Sequence, residues 1–123
     1  MFPYDGYLTL AKKLASDRDE ACLRSAVSRA YYACFHLVKD YAEKLTGTIF
    51  APDASAHKEV TDFLNQNTNA DLRALGSVQI RLRYRRADCD YQKTIANISG
   101  CAQASIKDAE SIFSKIKVYE SAV

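Results

Sequence analysis

Arg29 and His36 stand seven residues apart in the run Ser28-Arg29-Ala30-Tyr31-Tyr32-Ala33-Cys34-Phe35-His36. In a helix, seven residues at 3.6 per turn return a side chain to within ~20° of its starting direction. The two side chains then share one face, roughly 10 Å apart along the axis, with Tyr32 between their turns. A fixed cation beside a group that titrates near neutral pH is the pair needed to cleave RNA without a metal. His36 would take the proton of a ribose 2′-hydroxyl, or return one to the leaving 5′-oxygen. Arg29 would neutralise charge on a phosphorane-like transition state through its planar fork of donors. One chain offers one such His at this position, so acid and base together call for a second protomer across a two-fold axis. The product would be a 2′,3′-cyclic phosphate. The same residues also read as a structural polar cluster, with Arg29 paired to Asp90 or Asp40 and His36 bonded to Asp40 one turn on.

Other residues border such a site or merely support it. Arg86 and Asp90 are four apart, which predicts an intrahelical ion pair; if the helix breaks before Tyr91, Asp90 reaches Arg29 instead. Tyr91 is expected to pack over this network and cap it through its hydroxyl. His57 opens a helix on its inner face, either as a satisfied core histidine or as a ligand contact. Tyr31 falls on an apolar side and is expected in the core. Tyr32 lies in a polar sector and offers a stacking surface for a base. Arg81 and Arg85 are expected to point outward as a basic ridge, either solvated or touching RNA phosphates, with Asp88 neutralising part of it. The glycines are isolated, so no phosphate-cradling loop is present, and nucleotide binding would rest on Arg29, His57 and Arg86.

The elements that must position these residues are helical. Four Gly and two Pro punctuate the chain, and no segment alternates apolar and polar residues long enough to predict a strand. A first helix is expected from about Gly6 to Ala15, with Asp17 and Asp19 marking the break and supplying the next cap. The second, about Asp19 to Leu45, carries the stripe Leu23, Val27, Ala30, Cys34, Leu37, Tyr41, Leu45, widened by Tyr31, Phe35 and Val38. A helix so widely apolar belongs in the middle of a bundle. Its remaining sector holds Ser25, Arg29, Tyr32, His36, Asp40 and Glu43. Thr46 to Ala54 reads as a loop, and a third helix as about Ser55 to Asn67. After the polar break Asn65–Asn69, a fourth helix follows Leu72, Leu75, Gln79 and Leu82. On its continuation Arg86, Cys89 and Asp90 are expected inward. A last helix spans about Ser99 to Lys117. The expectation is one all-α domain over residues 1–123, an up-and-down bundle of about five helices.

At 123 residues the chain can bury one core without metal or disulfide support. A net charge of +2 does not by itself mark a nucleic-acid binder, but Arg81, Arg83, Arg85 and Arg86 crowd into six residues. Cys22, Cys34, Cys89 and Cys101 form no C-x-x-C pair and no zinc-finger spacing with His, so they read as reduced, small apolar residues, with no metal and no cofactor expected. No apolar run approaches the ~18 residues of a membrane span. The start, Met1-Phe2-Pro3-Tyr4-Asp5, lacks the basic and apolar regions of a signal peptide, so the expected location is cytoplasmic.

Three blocks in order resemble the HEPN family, in particular its small stand-alone prokaryotic branch. Arg29-Ala30-Tyr31-Tyr32-Ala33-Cys34-Phe35-His36 is similar to its R-x-Y-Y-A-x-F-H helix. His57-Lys58-Glu59-Val60, followed by Phe63, resembles its H-K-x-V segment. Arg86-Ala87-Asp88-Cys89-Asp90-Tyr91 resembles R-x-x-A-D-Y before the last helix. The likeness runs from about residue 6 to 118. It implies a bundle of about five helices, usually a homodimer, in a family of toxin ribonucleases, partners of small nucleotidyltransferases in toxin–antitoxin pairs, and members without assigned activity. Catalytic members carry R-x(4–6)-H, and Arg29 to His36 has six intervening residues. Two departures bear on the nuclease activity: Ala30 stands where a polar residue usually follows the Arg, and the motif lies on the second helix rather than a later one. Cys89 replaces a usual Ala. The resemblance therefore implies an RNA-acting, toxin- or defence-type protein with Arg29 and His36 at a composite dimer site. Its alternative is a non-catalytic module that binds a nucleotide or docks a small nucleotidyltransferase.

Overall fold

The computed structural model describes residues 2–122; Met1 and Val123 lie outside it. Five helices follow in order: α1 Asp5–Ala15, α2 Glu20–Thr46, α3 Ser55–Asn65, α4 Ala70–Tyr91 and α5 Ile98–Ser121. No strand occurs among the described residues. The architecture is an all-α bundle, and no helix of it is long and apolar enough to cross a membrane.

α2 packs against each of the other four helices. Its twelve buried residues, from Leu23 through Val27, Tyr31, Cys34 and Val38 to Ala42, cover most of its circumference, which is why no single neighbour suffices. Leu45, the last residue of the expected stripe, is exposed in the final turn. Cross-contacts fix the helix directions. The start of α1 meets the middle of α2 through Tyr4 and His36, while Leu14 and Ala15 pack near Leu23. At the other end of the sequence Tyr119 of α5 donates to Asp71 of α4 at 3.0 Å. Arg24 of α2 donates to the carbonyls of Cys89, Gln92 and Lys93 at 2.8, 2.6 and 3.0 Å, so one guanidinium closes the C-terminal end of α4.

The 47–54 segment doubles back, so that α3 begins beside the middle of α2. Gly47, in the left-handed region at φ 72°, ends α2, and its amide donates to the Glu43 carbonyl at 2.9 Å. The Glu43 carboxylate accepts the Phe50 amide at 2.7 Å, and Glu59 of α3 accepts the Ala51 amide at 3.3 Å. Phe50 is thereby held in the core, and the chain from Ala51 to Ala54 faces Phe35, His36 and Lys39 of α2 across a pocket. His57 then faces Tyr31, while Phe63 meets Tyr41 one helix turn or more along.

α4 is one continuous helix to Tyr91, so Asp90 stays in helical register with Arg86, not at a break. Its N-terminus is capped by Asn69, whose side chain accepts the amides of Asp71 and Leu72 at 2.9 and 3.2 Å. Asp19, expected to cap α2, occupies the N-cap position without a side-chain bond there; its own amide donates to Asp17 at 2.8 Å.

Candidate functional site

The polar sector of α2 is flanked by α1, α3 and α4, each of which lays an aromatic or cationic side chain beside it. Arg29, Tyr32 and His36 are all half-buried on that sector, as their spacing predicts. The Arg29 guanidinium carbon lies 4.9 Å from the centre of the Tyr7 ring and 5.5 Å from that of Tyr32. These are cation–π contacts with α1 on one side and α2 on the other. Arg86, from α4, lies 5.5 and 5.6 Å from the rings of Tyr31 and Tyr32. Tyr32 is thus shared by two guanidinium groups.

The pairings that would make Arg29 structural do not form. Asp90 pairs with Arg86 at 3.2 Å, as the spacing of four predicts, and Arg29 makes no ion pair among the described residues. Asp40 neither pairs with Arg29 nor bonds His36. It only faces His36 as a nearby charge. Arg83 has no carboxylate partner among the described residues either, and with Arg86 it lies close enough to His57 to lower its pKa. Three guanidinium groups therefore surround Tyr31 and Tyr32 with one carboxylate between them. The Nε of Arg86 is buried without a partner.

Both histidines are shifted toward the neutral form. Burial pushes the His36 pKa below its ordinary value, Lys39 and Arg29 adding to the effect and Asp40 opposing it. His57 is lowered by burial, then by Arg83 and Arg86. The Tyr31 hydroxyl, buried in the core as expected, is hydrogen-bonded to Nδ1 of His57. Burial pushes the Tyr31 pKa to about 12, so the hydroxyl keeps its proton. His57 is thus a satisfied, half-buried histidine with its other ring nitrogen uncommitted. Its ring stacks on Phe35 at 4.4 Å between centres, and Phe35 lies edge-on to His36 at 5.1 Å. Tyr4 covers His36 almost in parallel, at 4.3 Å and 10°.

Two pockets open on this cluster, and they divide the motif. One, of about 370 Å³, is lined by Arg24, Ser25, Ser28, Arg29, Cys89 and Asp90, with Ala21. The other, of about 450 Å³, is lined by Phe35, His36, Lys39, His57 and the chain from Ala51 to Ala54, with Ala56. Tyr7 stands between Arg29 and His36, 6.3 Å from the latter. Within one chain, then, the two motif residues share a face but not a pocket.

Three expectations are corrected by the geometry. Tyr91 does not cap the Arg86–Asp90 pair; it is 78% exposed and lies seven residues from Tyr84, also exposed, on the outer stripe of α4. Asp90 is exposed as well, and only Cys89 and most of Arg86 face inward. Arg81 and Arg85 are not a free ridge beside Asp88. Both clamp Asp108 of α5, at 3.2 and 2.7 Å, and their guanidinium groups hold its carboxyl below the usual range against the effect of burial. Sequence reasoning gave no site role to Tyr4, Tyr7, Arg83 or Asp53. The first two carry a signal in retrospect, a Tyr pair three apart opening a helix, but which neighbour they cover depends on packing. Among the described residues no three His, Cys, Asp or Glu side chains converge as metal ligands. Compared with protein-family models, curated proteins and solved structures, the chain gives no match.

Proposed function

We propose that the protein is an RNA-acting member of the HEPN type. In this reading the Arg29–Tyr32–His36 face receives a phosphodiester, and a homodimer brings a second copy of the face to complete the site. The observation that carries the reading is the half-buried Arg29 guanidinium, set between two tyrosine rings with no carboxylate partner among the described residues. A half-buried cation that opens on a pocket and has no carboxylate partner among the described residues is available to an anion, and an RNA phosphate is the ligand it fits. Tyr32 offers the adjoining base a ring, and the aromatic surroundings suit a single strand. In the cleavage step neutral His36 takes the 2′-hydroxyl proton and the 2′-oxygen attacks phosphorus. The P–O5′ bond breaks, the 5′-oxygen receives a proton from the partner copy's imidazole in its protonated form, and a 2′,3′-cyclic phosphate remains.

A second reading is favoured by a specific observation: Arg29 and His36 open on different pockets, and burial disfavours the protonated form of both histidines. A non-catalytic nucleotide-binding module, or one that docks a small nucleotidyltransferase, requires neither a shared pocket nor a proton donor. The deciding experiment is incubation of a mixed RNA pool in EDTA with wild type, Arg29→Ala and His36→Ala, each first matched by circular dichroism. Cleavage by wild type alone, with cyclic-phosphate ends, supports the nuclease. RNA binding without cleavage, weakened by Arg29→Ala, supports the module, and equal behaviour of all three removes both the nuclease and the RNA-binding role of Arg29.

A further inference from the structure

The four arginines between residues 81 and 86 divide into two pairs. Arg81 and Arg85, four apart on one side of α4, are both held by Asp108 of α5, at 3.2 and 2.7 Å. Arg83 falls midway between them in sequence, so a helical turn of about 100° per residue carries it to the opposite side. Arg86, three residues on, is its neighbour there, and the Arg86 guanidinium carbon lies 5.5 and 5.6 Å from the rings of Tyr31 and Tyr32. Asp90 takes one of the Arg86 nitrogens. Arg83 is half-buried and makes neither an ion pair nor a hydrogen bond among the described residues. Its charge acts on the Tyr31 hydroxyl and on His57, which places it where α2, α3 and α4 meet. The like charge of Arg86 one turn away opposes that placement, and no carboxylate partner offsets it at Arg83 among the described residues. Tyr32 also lies 5.5 Å from Arg29, so Arg29, Tyr32, Arg86 and Arg83 make one path from α2 onto α4.

We infer that Arg83, with Arg86 beside it, contacts a second phosphate of the RNA strand whose other phosphate sits on Arg29. The inference deepens the RNA reading and rests on it. A nucleic-acid strand repeats its negative charge at every nucleotide, so cations set along one path suit successive phosphates of one strand. The ligand that fits is therefore a strand with more than one phosphodiester, not a single mononucleotide. A phosphate contact positions the strand without reading its bases, so Arg83 adds affinity for every sequence alike. Each such contact on a single strand adds about 0.7 to the slope of log affinity against log salt. Lysine at this position keeps a point charge for the phosphate, whereas glutamine removes it.

The test is fluorescence anisotropy with short uridine and adenosine oligomers, 2′-O-methylated so that neither is cleaved, over a series of potassium chloride concentrations. The proteins are wild type, Arg83→Gln, Arg83→Lys and Arg81→Gln. Arg81→Gln removes the same charge from the same helix at a residue already held by Asp108, so it reports the effect of net charge alone. The expected result is a salt slope lower by about 0.7 in Arg83→Gln, so that its loss of affinity grows about fivefold for each tenfold fall in salt. That loss is the same for both oligomers, Arg83→Lys keeps the wild-type slope, and Arg81→Gln leaves it unchanged. The melting temperature of Arg83→Gln matches that of wild type. Wild-type binding by Arg83→Gln, equal losses in Arg83→Gln and Arg81→Gln, or a loss confined to one oligomer overturns the inference. A large fall in the melting temperature of Arg83→Gln also overturns it, by making Arg83 a structural residue. An Arg29→Ala arm separates the two levels. Binding that depends on Arg29 and ignores Arg83 leaves the RNA reading standing and removes the second contact. Binding that depends on Arg83 and ignores Arg29 removes the Arg29 face, and an absence of binding by wild type removes both.

Discussion

Replacing Arg29 by alanine distinguishes a cation kept for a ligand from one kept for the fold. Arg29 makes no ion pair among the described residues, and its guanidinium contributes two ring contacts, at 4.9 and 5.5 Å, on a half-buried face. Contacts of this kind in partly exposed positions contribute about 0.5–1 kcal/mol each. The aliphatic stem adds some buried area, and release of the side chain's rotamers offsets part of it. The expected loss is therefore about 1–2 kcal/mol, with an unchanged urea dependence because the unfolded chain exposes nearly the same surface. For a chain of 123 residues that corresponds to a fall in Tm of about 3–8 °C. Had Arg29 been the buried partner of Asp90 or Asp40, removing it would have stranded a carboxylate at a cost of about 3–5 kcal/mol. Urea denaturation followed by far-UV circular dichroism measures the difference. A loss above about 3 kcal/mol would refute the reasoning and make Arg29 a structural residue. Arg29→Lys adds a control, since it keeps the charge and loses the planar stack; its RNA affinity should fall between those of wild type and Arg29→Ala.

Three further outcomes are expected. Tyr31→Phe removes the hydroxyl bonded to His57 but keeps the ring contacts, so it should cost about 1 kcal/mol. A double-mutant cycle with His57→Gln should show coupling of about that size, and additivity within ~0.3 kcal/mol would contradict the bond. Acidification should destabilise the protein before any carboxylate pair is lost. His36 and His57 have folded pKa values below the unfolded value of about 6.5, so their contribution is complete above pH ~6.5 and declines as pH falls through the folded values. Asp40, raised by burial, acts in the opposite sense and only at lower pH. Thermal melts between pH ~7.5 and ~5 should fall in wild type and flatten in His57→Gln; a flat wild-type profile would contradict both shifts. Asp108→Asn should cost about 1–2 kcal/mol by releasing Arg81 and Arg85, of which Arg85 is the more buried. If those arginines can touch phosphate, the same variant should bind RNA more tightly; unchanged affinity would exclude the ridge as a contact.

How much of this was legible in the sequence depends on whether the relevant contacts lie within one helix or between two. Periodicity located all five helices and put Arg29, Tyr32 and His36 on one sector of α2, because side-chain direction within a helix follows from spacing alone. It also found the Arg86–Asp90 pair, another local relation. It misjudged Tyr91 by expecting it to pack over the Arg86–Asp90 pair; the unbroken helix carries Tyr91 onto the exposed stripe of Tyr84. Arg81 and Arg85 failed for a different reason. Their partner, Asp108, lies on α5, and which acid a surface arginine meets across helices has no signature in local spacing. Tyr7 between Arg29 and His36, and the return of the 47–54 segment that lines one pocket together with Phe35 and His36 of α2, are likewise products of packing. These interhelical placements divide the motif between two pockets, which spacing alone had placed together.

Side-chain NMR with a non-cleavable, 2′-O-methylated single-stranded RNA tests most directly whether the Arg29–Tyr32–His36 face is where RNA is bound. It separates binding from chemistry, so an inactive protein still gives an answer. The predicted result is a concerted shift of the Arg29 guanidinium, Tyr32 ring and His36 imidazole signals at one RNA concentration, with the exposed Tyr84 and Tyr91 unmoved. Shifts confined to Tyr84, Tyr91 and the arginines of α4, with Arg29 and His36 unchanged, would contradict it.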